Sequence, residues 1–356
     1  MGNDLGNELG NDLGNELGGA PTPLVDSFGR VHRDLRISVT DRCNFRCTYC
    51  MPAEGMAWLP REDLLTYEEL TRVASLMVSR FGFDGIRITG GEPTVRSHLT
   101  VLIEKLAGLR TTSGQAVDVA LTTNGATLGL IAHDLAAAGL SRINISCDSL
   151  RPERFAELTK RDRLAEVLDG IDAAVAAGLE PVKVNVVVMR GVNDDEIVDF
   201  ATFGRERGVI VRFIEFMPLD AQGAWTNDQV ATQAEILAAL SAVYPLEPVD
   251  LPGERGSQPA ERFRYLDGGG EVGVIASVTH SFCDSCDRLR LTAEGDLRNC
   301  LFATEEYDLR ALLRSGASDD ELAAVVERAV AAKWAGHSIN QVTFIKPKRG
   351  MSQIGG

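Results

Sequence analysis

From about residue 34, short apolar, β-branched runs alternate with stretches whose apolar residues return every three or four positions. The runs Leu35–Val39, Ile86–Thr89, Val117–Thr122, Arg142–Ser146, Val182–Met189 and Val211–Phe216 predict strands. Between them, Glu68–Ser79 sets Leu70, Val73, Ala74 and Met77 at helical spacing. Leu130–Ala138 and Leu164–Ala177 run into Gly139 and Gly178, which predicts helices with glycine stops. Strand and helix alternate at spacings of roughly 30 residues, the rhythm of βα units on a parallel sheet. About six such units imply an incomplete barrel or an open sheet, and length and rhythm alone do not separate the two.

The rhythm breaks after Pro218, within a boundary zone of 218–245. Residues 245–270 hold four prolines and the run Gly268-Gly269-Gly270, so loops are expected there. A short strand is expected at Val272–Ala276. A late helix should follow Ser318-Asp319-Asp320, with Leu322, Val325, Val326 and Ala329 on one face. The last residues, Lys346 to Gly356, read as a mobile tail. At the other end, Gly-Asn-Asp-Leu-Gly-Asn-Glu-Leu occurs twice in succession. Gly at every fourth position disfavours helix and strand, and a solvated, disordered arm is expected over 1–19. A calcium tract is the weaker alternative, since Asp4, Glu8, Asp12 and Glu16 on a flexible segment form no cage. The expected division is 1–19, a partial barrel over 20–240, and a C-terminal region over 241–356.

Composition narrows the function. The 356 residues carry 36 Lys plus Arg against 51 Asp plus Glu, a net charge of −15. Such a surface repels nucleic acid and anionic membranes at long range, so a phosphate-bearing ligand needs a local basic pocket. No apolar stretch approaches the ~20 residues that cross a bilayer. The polar, Gly-rich start lacks the features of a secretory signal. Six of the seven cysteines fall into two tight groups, which argues for metal ligands in a reducing cytoplasm rather than disulfides.

Cys43, Cys47 and Cys50 form a C-x3-C-x2-C group after the first strand. Three thiolates that close converge only if the backbone curls around a metal, and soft thiolate suits iron–sulfur clusters or zinc. Structural zinc wants four ligands, and none completes the set here. Three ligands on a four-iron cluster leave one iron open for a small molecule. Cys283, Cys286 and Cys300 form a second triad, C-x2-C-x13-C, for which zinc with His280 as fourth ligand stays an alternative. Cys147 has no partner and reads as a core residue. In Thr89-Gly90-Gly91-Glu92-Pro93, the glycines let backbone approach a ligand, and Glu92 can accept hydrogen bonds from an ammonium group.

The first cysteine spacing, with Tyr49 before its last member, and the Gly-Gly-Glu-Pro turn resemble the radical S-adenosylmethionine superfamily. Further motifs bring the resemblance to the GTP 3′,8-cyclases, the molybdenum cofactor biosynthesis protein A family. These are Arg87-Ile88-Thr89, Leu121-Thr122-Thr123-Asn124-Gly125, Lys183-Val184-Asn185, Arg212 to Met217, Arg288-Leu289-Arg290 beside the second triad, and the terminal Gly-Gly. The resemblance runs from about residue 22 to 356. It implies an α/β fold, an incomplete (βα)6 TIM-type barrel whose mouth is closed by the C-terminal region. It implies two 4Fe–4S clusters, one on Cys43, Cys47 and Cys50 that binds S-adenosyl-L-methionine, the other on Cys283, Cys286 and Cys300 that meets the guanine of GTP. By the same resemblance Tyr49, Gly91, Ser146 and Met217 contact S-adenosylmethionine. Arg36, Arg87, Thr122, Lys183, Arg212, Arg288, Leu289 and Arg290 contact GTP, while Arg288, Arg290, Gly355 and Gly356 serve catalysis. Gly85 departs from the family pattern, where a basic residue often stands, and one triphosphate contact is expected to be missing or supplied elsewhere.

The implied reaction is cleavage of S-adenosylmethionine to a 5′-deoxyadenosyl radical, which removes hydrogen from C3′ of GTP so that C3′ closes on C8. The implied partners are an electron donor of the flavodoxin or ferredoxin type and a cyclic pyranopterin monophosphate synthase that takes the product. A homodimer is an assembly the resemblance allows. Independently of it, Arg36, Arg87 and Lys183 fall on or at the ends of strands. They are expected at the C-terminal, active-site face of the barrel, with Arg suited to bidentate phosphate contacts. Two other readings compete. A peptide- or sulfatase-maturing radical enzyme would carry a longer C-terminal cysteine array. An electron-transfer or zinc protein would not need the Gly-Gly-Glu-Pro turn or the strand arginines.

Overall fold

The computed structural model describes residues 21–355 apart from 53, 221–222, 251–253, 340, 342–343 and 348. The acidic repeat and Gly356 lie outside the described residues. Six βα units come first. They are β1 (Asp34–Ser38) with α1 (Tyr67–Phe81), β2 (Gly85–Thr89) with α2 (Leu99–Ala107), and β3 (Asp118–Thr123) with α3 (Leu128–Ala137). β4 (Arg142–Ser146) leads into α4 (Pro152–Thr159) and α5 (Leu164–Ala176), β5 (Val182–Val188) into α6 (Ile197–Arg207), and β6 (Ile210–Glu215) into α7 (Gln233–Ser241). Local chemistry sets the helix ends. Thr66 and Glu69 form a reciprocal cap at the start of α1, which stops at Gly82 in the left-handed region. Gly139 and Gly178 follow α3 and α5 at φ 96° and 74°.

The stretch expected to be loop at 245–270 holds two strands, β7 (Leu246–Pro248) and β8 (Glu261–Tyr265), followed by β9 (Glu271–Ile275). Then come β10 (Arg288–Leu291), β11 (Asp296–Arg298) and β12 (Tyr307–Asp308), α8 (Arg310–Ser315), α9 (Asp319–Ala331) and α10 (Met351–Ile354). The expected mobile tail therefore contains a helical turn with Ser352 and Ile354 buried.

All the strands share one sheet, in the order β12-β11-β10-β1-β2-β3-β4-β5-β6-β9-β8-β7. β1 to β6 are parallel, β9 joins β6 in parallel and β10 joins β1 in parallel, so eight neighbouring strands run one way. The fold is α/β and of partial TIM-barrel type. The region after residue 240 is not a separate sheet. Its strands extend both edges of the βα sheet.

Alternation along each strand decides what lies on either side. Leu35, Ile37, Ile88, Val119, Leu121, Ile143, Val184 and Phe213 pack into the core with the helices. The other face carries Asp34, Arg36, Arg87, Asp118, Arg142, Asn144, Lys183, Asn185 and Arg212. Parallel barrels usually fill that face with branched apolar side chains. Charged and amide groups cannot close-pack there unpaired, and a cavity of about 670 Å³ remains.

Candidate functional site

Strand direction places the two cysteine triads. Cys43, Cys47 and Cys50 follow β1 and stand at the C-terminal rim of the parallel strands. Cys283 and Cys286 precede β10, which runs parallel to β1, so they stand at the N-terminal rim. β11 runs antiparallel to β10, and Cys300, two residues past its end, returns to that same rim. The cavity lies between the triads.

At the C-terminal rim the first triad sits on a loop pinned from several sides. Arg46 N and Thr48 N donate to the carbonyls of Thr159 and Leu158, each at 2.9 Å. Phe45 meets Phe155 edge to face. The Gly90-Gly91 turn lies directly on this loop. Gly91 N donates to Thr40 O at 2.6 Å, and a Cβ on Gly91 would stand 2.4 Å from Arg42 O, so no side chain fits. Glu92, expected to receive an ammonium, is largely occupied. Its Oε1 accepts from Thr94 N, Thr94 Oγ1 and Thr123 Oγ1, and its Oε2 from Asn124 N. Tyr49 donates its hydroxyl to Asp148 Oδ2 at 2.6 Å, and burial pushes the Asp148 carboxyl up to about 6. Tyr49, Gly91, Ser146 and Met217 all line the cavity.

Burial raises the thiols of the first triad, Cys43 to about 11 and Cys50 to about 12. Cys47 is also raised, first by burial and then by Cys50, Asp148 and Cys43. These are thiols that need a metal to ionise them. Among the described residues, no three His, Cys, Asp or Glu side chains converge closely enough to hold a single metal ion. His280 is exposed, with Nδ1 against the Thr279 hydroxyl, and nothing supports it as a zinc ligand. All-sulfur donor sets, three to a site on curled loops, fit a multi-iron cluster better than a lone ion.

Inside the barrel the register aligns the basic residues. Arg290, Arg36 and Arg87 are direct neighbours across β10, β1 and β2. Each is the third residue of its strand. Lys183 and Arg212 are second and third on β5 and β6, and Arg142 opens β4. The expectation that these side chains gather at the C-terminal face is therefore corrected. Arg142 and Lys183 stand at the starts of their strands and Arg36, Arg87, Arg212 and Arg290 near the middles, in the lumen between the rims. Arg142, Asn144 and Asn185 belong to this set and were missed. Their signal was a polar residue at every second position of an apolar strand. Asn185 Oδ1 accepts from Arg212 Nε at 2.9 Å, and Asn144 Oδ1 from Arg212 Nη2 at 2.8 Å. Thr122 accepts from Asn144 Nδ2 at 3.2 Å.

Among the described residues only Asp34 lies within ion-pair distance of the ladder arginines, 3.5 Å from Arg87 Nη2 and 4.0 Å from Arg36 Nε, while Asp118 pairs with Arg142. The Nε groups of Arg36 and Arg87 are buried without hydrogen-bond partners. Burial first, then neighbouring arginines, pull Lys183 down to about 7 and Arg212 to about 9. Arg36 is pulled down strongly by burial and by Arg290, Arg87 and Arg288. The ladder itself is short of negative charge, with Asp34 alone against three arginines among the described residues. A Cβ at Gly85 would meet Asp34 Oδ2 at 3.4 Å, so a basic residue there would stand beside that carboxylate.

Leu289, expected at the substrate site, could reach it with backbone alone. Its side chain is fully buried in the core, on the face of β10 opposite Arg288 and Arg290. Arg288 donates to Ser257 O in the loop before β8 and lies over the Phe282 ring. Arg290 donates to the carbonyl of Gly355, which is buried at φ 68° between Thr89 and Ser38. Cys147 is buried, as a core residue should be.

At the N-terminal rim, Arg30 pairs with Asp26 at 2.6 Å and donates to the carbonyls of Cys283 and Ala335, each at 2.7 Å. Burial raises the Cys286 thiol, but the charges of Lys333 and Arg288 and the Arg288 N–H outweigh it and leave it below the usual range. Cys300 is raised by burial.

Comparison with known proteins gives two family matches, to the radical SAM superfamily over residues 37–204 and to molybdenum cofactor synthesis C over residues 209–339. The chain is 50% identical to the GTP 3′,8-cyclase of Corynebacterium glutamicum (strain R), covering 94% of this chain and 89% of that one. It is also 50% identical to the GTP 3′,8-cyclase of Streptomyces coelicolor, covering 94% and 96%. Among solved structures it resembles Streptococcus suis SuiB bound to S-adenosylmethionine, with a TM-score of 0.53 and 14% identity over 82% of this chain and 67% of that one. That likeness is one of fold.

Proposed function

The chain belongs to the GTP 3′,8-cyclase family, and from that premise we propose how its cavity divides the work. The reaction is conversion of GTP to (8S)-3′,8-cyclo-7,8-dihydroguanosine 5′-triphosphate in molybdenum cofactor biosynthesis. Cys43, Cys47 and Cys50 would hold one 4Fe–4S cluster and S-adenosylmethionine at the C-terminal rim, and Cys283, Cys286 and Cys300 a second at the opposite rim. Given one electron from a donor, the first cluster and its S-adenosylmethionine would supply a 5′-deoxyadenosyl radical for hydrogen abstraction at C3′ of GTP. The protein's own residues bind, orient and exclude water.

The observation that carries this reading is the in-register ladder of Arg290, Arg36 and Arg87, facing Lys183, Arg142 and Arg212 across the lumen. On a chain of net charge −15, so many cations in one cavity, with two guanidinium Nε groups unpartnered, call for a polyanion. A triphosphate against the ladder leaves guanine toward the second triad and ribose toward Tyr49, Gly91, Ser146 and Met217. The C-terminal region would close the barrel, a reading supported by the Arg288–Ser257 contact and by α10 against Cys50, whose thiol accepts from Ser352 N. The family reading also implies a flavodoxin- or ferredoxin-type electron donor, a cyclic pyranopterin monophosphate synthase as product acceptor, a homodimer, and a cytoplasmic site of action. Among the described residues no helix is long and apolar enough to cross a membrane.

Anaerobic, reconstituted protein tests the reading. With reductant and S-adenosylmethionine, GTP should yield 5′-deoxyadenosine and the cyclic triphosphate together. Deoxyadenosine that forms at the same rate without GTP, and no cyclised nucleotide with it, would overturn the assignment.

A further inference from the structure

α9 ends at Ala331, with its C-terminal turn directed at the second triad. Asn299 Nδ2, next to Cys300, donates to Ala329 O at 2.8 Å and ties the helix end to the strand end that carries the cysteine. Lys333 follows two residues past the helix. It is only 4% exposed. Its Nζ lies 2.8 Å from Arg288 O and 3.7 Å from Cys286 Sγ. Behind it the chain passes so close to Cys283 that a Cβ on Gly336 would stand 3.3 Å from the Sγ atom.

A buried lysine without an anionic neighbour is costly. Arg30, another buried cation at this rim, is matched by Asp26. Among the described residues no carboxylate stands within ion-pair distance of Lys333. Among the described residues, the groups of anionic character that act on it are cysteine sulfurs, Cys286 within hydrogen-bond reach and Cys300 beyond it. The helix terminus beside it presents its negative end, which Lys333 also offsets. Hydrogen bonds to cluster sulfurs and local net charge are the levers by which a protein sets a cluster's reduction potential.

We propose that Lys333 is a positioning residue for the group bound by the second triad. Its N–H···S bond to Cys286 holds that thiolate and raises the cluster's reduction potential. Its bond to the Arg288 carbonyl links the same support to the strand that presents Arg288 and Arg290 to the substrate. The inference rests on the reading of Cys283, Cys286 and Cys300 as cluster ligands.

The test uses the full-length, anaerobically reconstituted protein, its Lys333→Met variant and its Lys333→Arg variant. Iron is counted, and the two clusters are titrated by EPR-monitored potentiometry, with added S-adenosylmethionine marking the first. Lys333→Met should keep both clusters, shift the second to more negative potential and leave the first in place. Lys333→Arg, which keeps charge and donors, should stay near wild type. Loss of the second cluster in Lys333→Met alone, with Lys333→Arg intact, also supports the proposal. An unchanged second potential in a fully loaded Lys333→Met protein overturns it, as does loss of the cluster in both variants, which would mark Lys333 as packing only. Iron for a single cluster in the wild type would instead sink the underlying reading of the triad.

Discussion

Lys183 has its ammonium held down to about 7, by burial first and then by Arg212, Arg142, Arg87 and Arg262. Near pH 7 it is therefore partly neutral. A triphosphate placed among these cations raises that value, so binding takes up a proton whenever the solution is above about pH 7. The sign follows from linkage. Affinity for GTP is highest below the free-site value and falls as pH climbs from 7.5 to 9, by up to about tenfold per pH unit for one group. The terminal phosphate is already mostly ionised over that range and adds only a small opposing trend. Calorimetry in buffers of different ionisation enthalpy should show proton uptake in the wild type and much less in Lys183→Met. Lys183→Ala should weaken GTP about ten- to a hundredfold, the loss of one charge-assisted contact of ~1.5–3 kcal/mol, and leave S-adenosylmethionine binding nearly unchanged. Equal loss of both ligands would indicate a folding defect. The cysteines and the basic residues of this site were legible because spacing and residue type carry their chemistry directly. Arg142 and Lys333 were not, since an arginine on a strand or a lysine after a helix is ordinary until its surroundings are known. The Leu289 side chain shows the converse. A motif names three consecutive residues, and a strand sends the middle one to the other face.

Among the elements, the β-branched runs and glycine stops located β1 to β6, α1, α3, α5 and α9 to within about two residues, the usual scatter of element ends. β7 and β8 hid behind Pro and Gly, and β10 reads Arg-Leu-Arg-Leu, a strand whose charges make sense only in a polar lumen. α10 was hidden because four residues at a chain end have no periodicity to read. Its place depends on one joint. Arg349 bonds Asp296 at 2.8 Å and Glu306 at 2.6 Å, and also meets Glu294, while Arg298 shares Glu306. From that joint the chain passes Cys50, turns through α10 and delivers the Gly355 carbonyl to Arg290. Gly355 is in the left-handed region, and a Cβ there would stand 2.7 Å from Thr89 Cγ2. Gly355→Ala should therefore dislodge the tail, by backbone strain and by that clash together. Hydrogen exchange at 351–355 should rise, and cyclic product should fall at least tenfold, while iron content and S-adenosylmethionine binding hold. Arg349→Ala should produce the same pattern from the other end of the segment. Slow exchange at 351–355 with wild-type product in both variants would show that the tail contact has no part in turnover.

At the scale of the molecule, a parallel barrel gives each rim its own supports. The first triad hangs from β1 and is pinned by the end of α4 and by the Gly90-Gly91 turn. The second is clamped by Arg30, Asn299 and Lys333, none of which reaches the first. The βα rhythm predicted six parallel units and the family resemblance a partial barrel, but neither predicted that β9 and β10 extend it at both edges. That placement comes from pairing between strands more than 50 residues apart in sequence, which local pattern does not encode. It is also what sets the triads at opposite rims with the basic cavity between them. Separate supports imply separable losses. Cys→Ala at 43, 47 and 50 should abolish deoxyadenosine formation while the iron of one cluster remains. The same change at 283, 286 and 300 should leave the other cluster, still perturbed by S-adenosylmethionine in EPR, with some deoxyadenosine formed but no cyclised nucleotide. Both triple variants should remain folded, because the cysteines are only half-buried and the main core lies with the helices. Circular dichroism and iron counts check the fold and loading, and product analysis checks the coupling. GTP cyclisation at the wild-type rate in the 283, 286 and 300 variant would make the second triad a structural staple. The guanine would then have to be oriented by the lumen arginines alone.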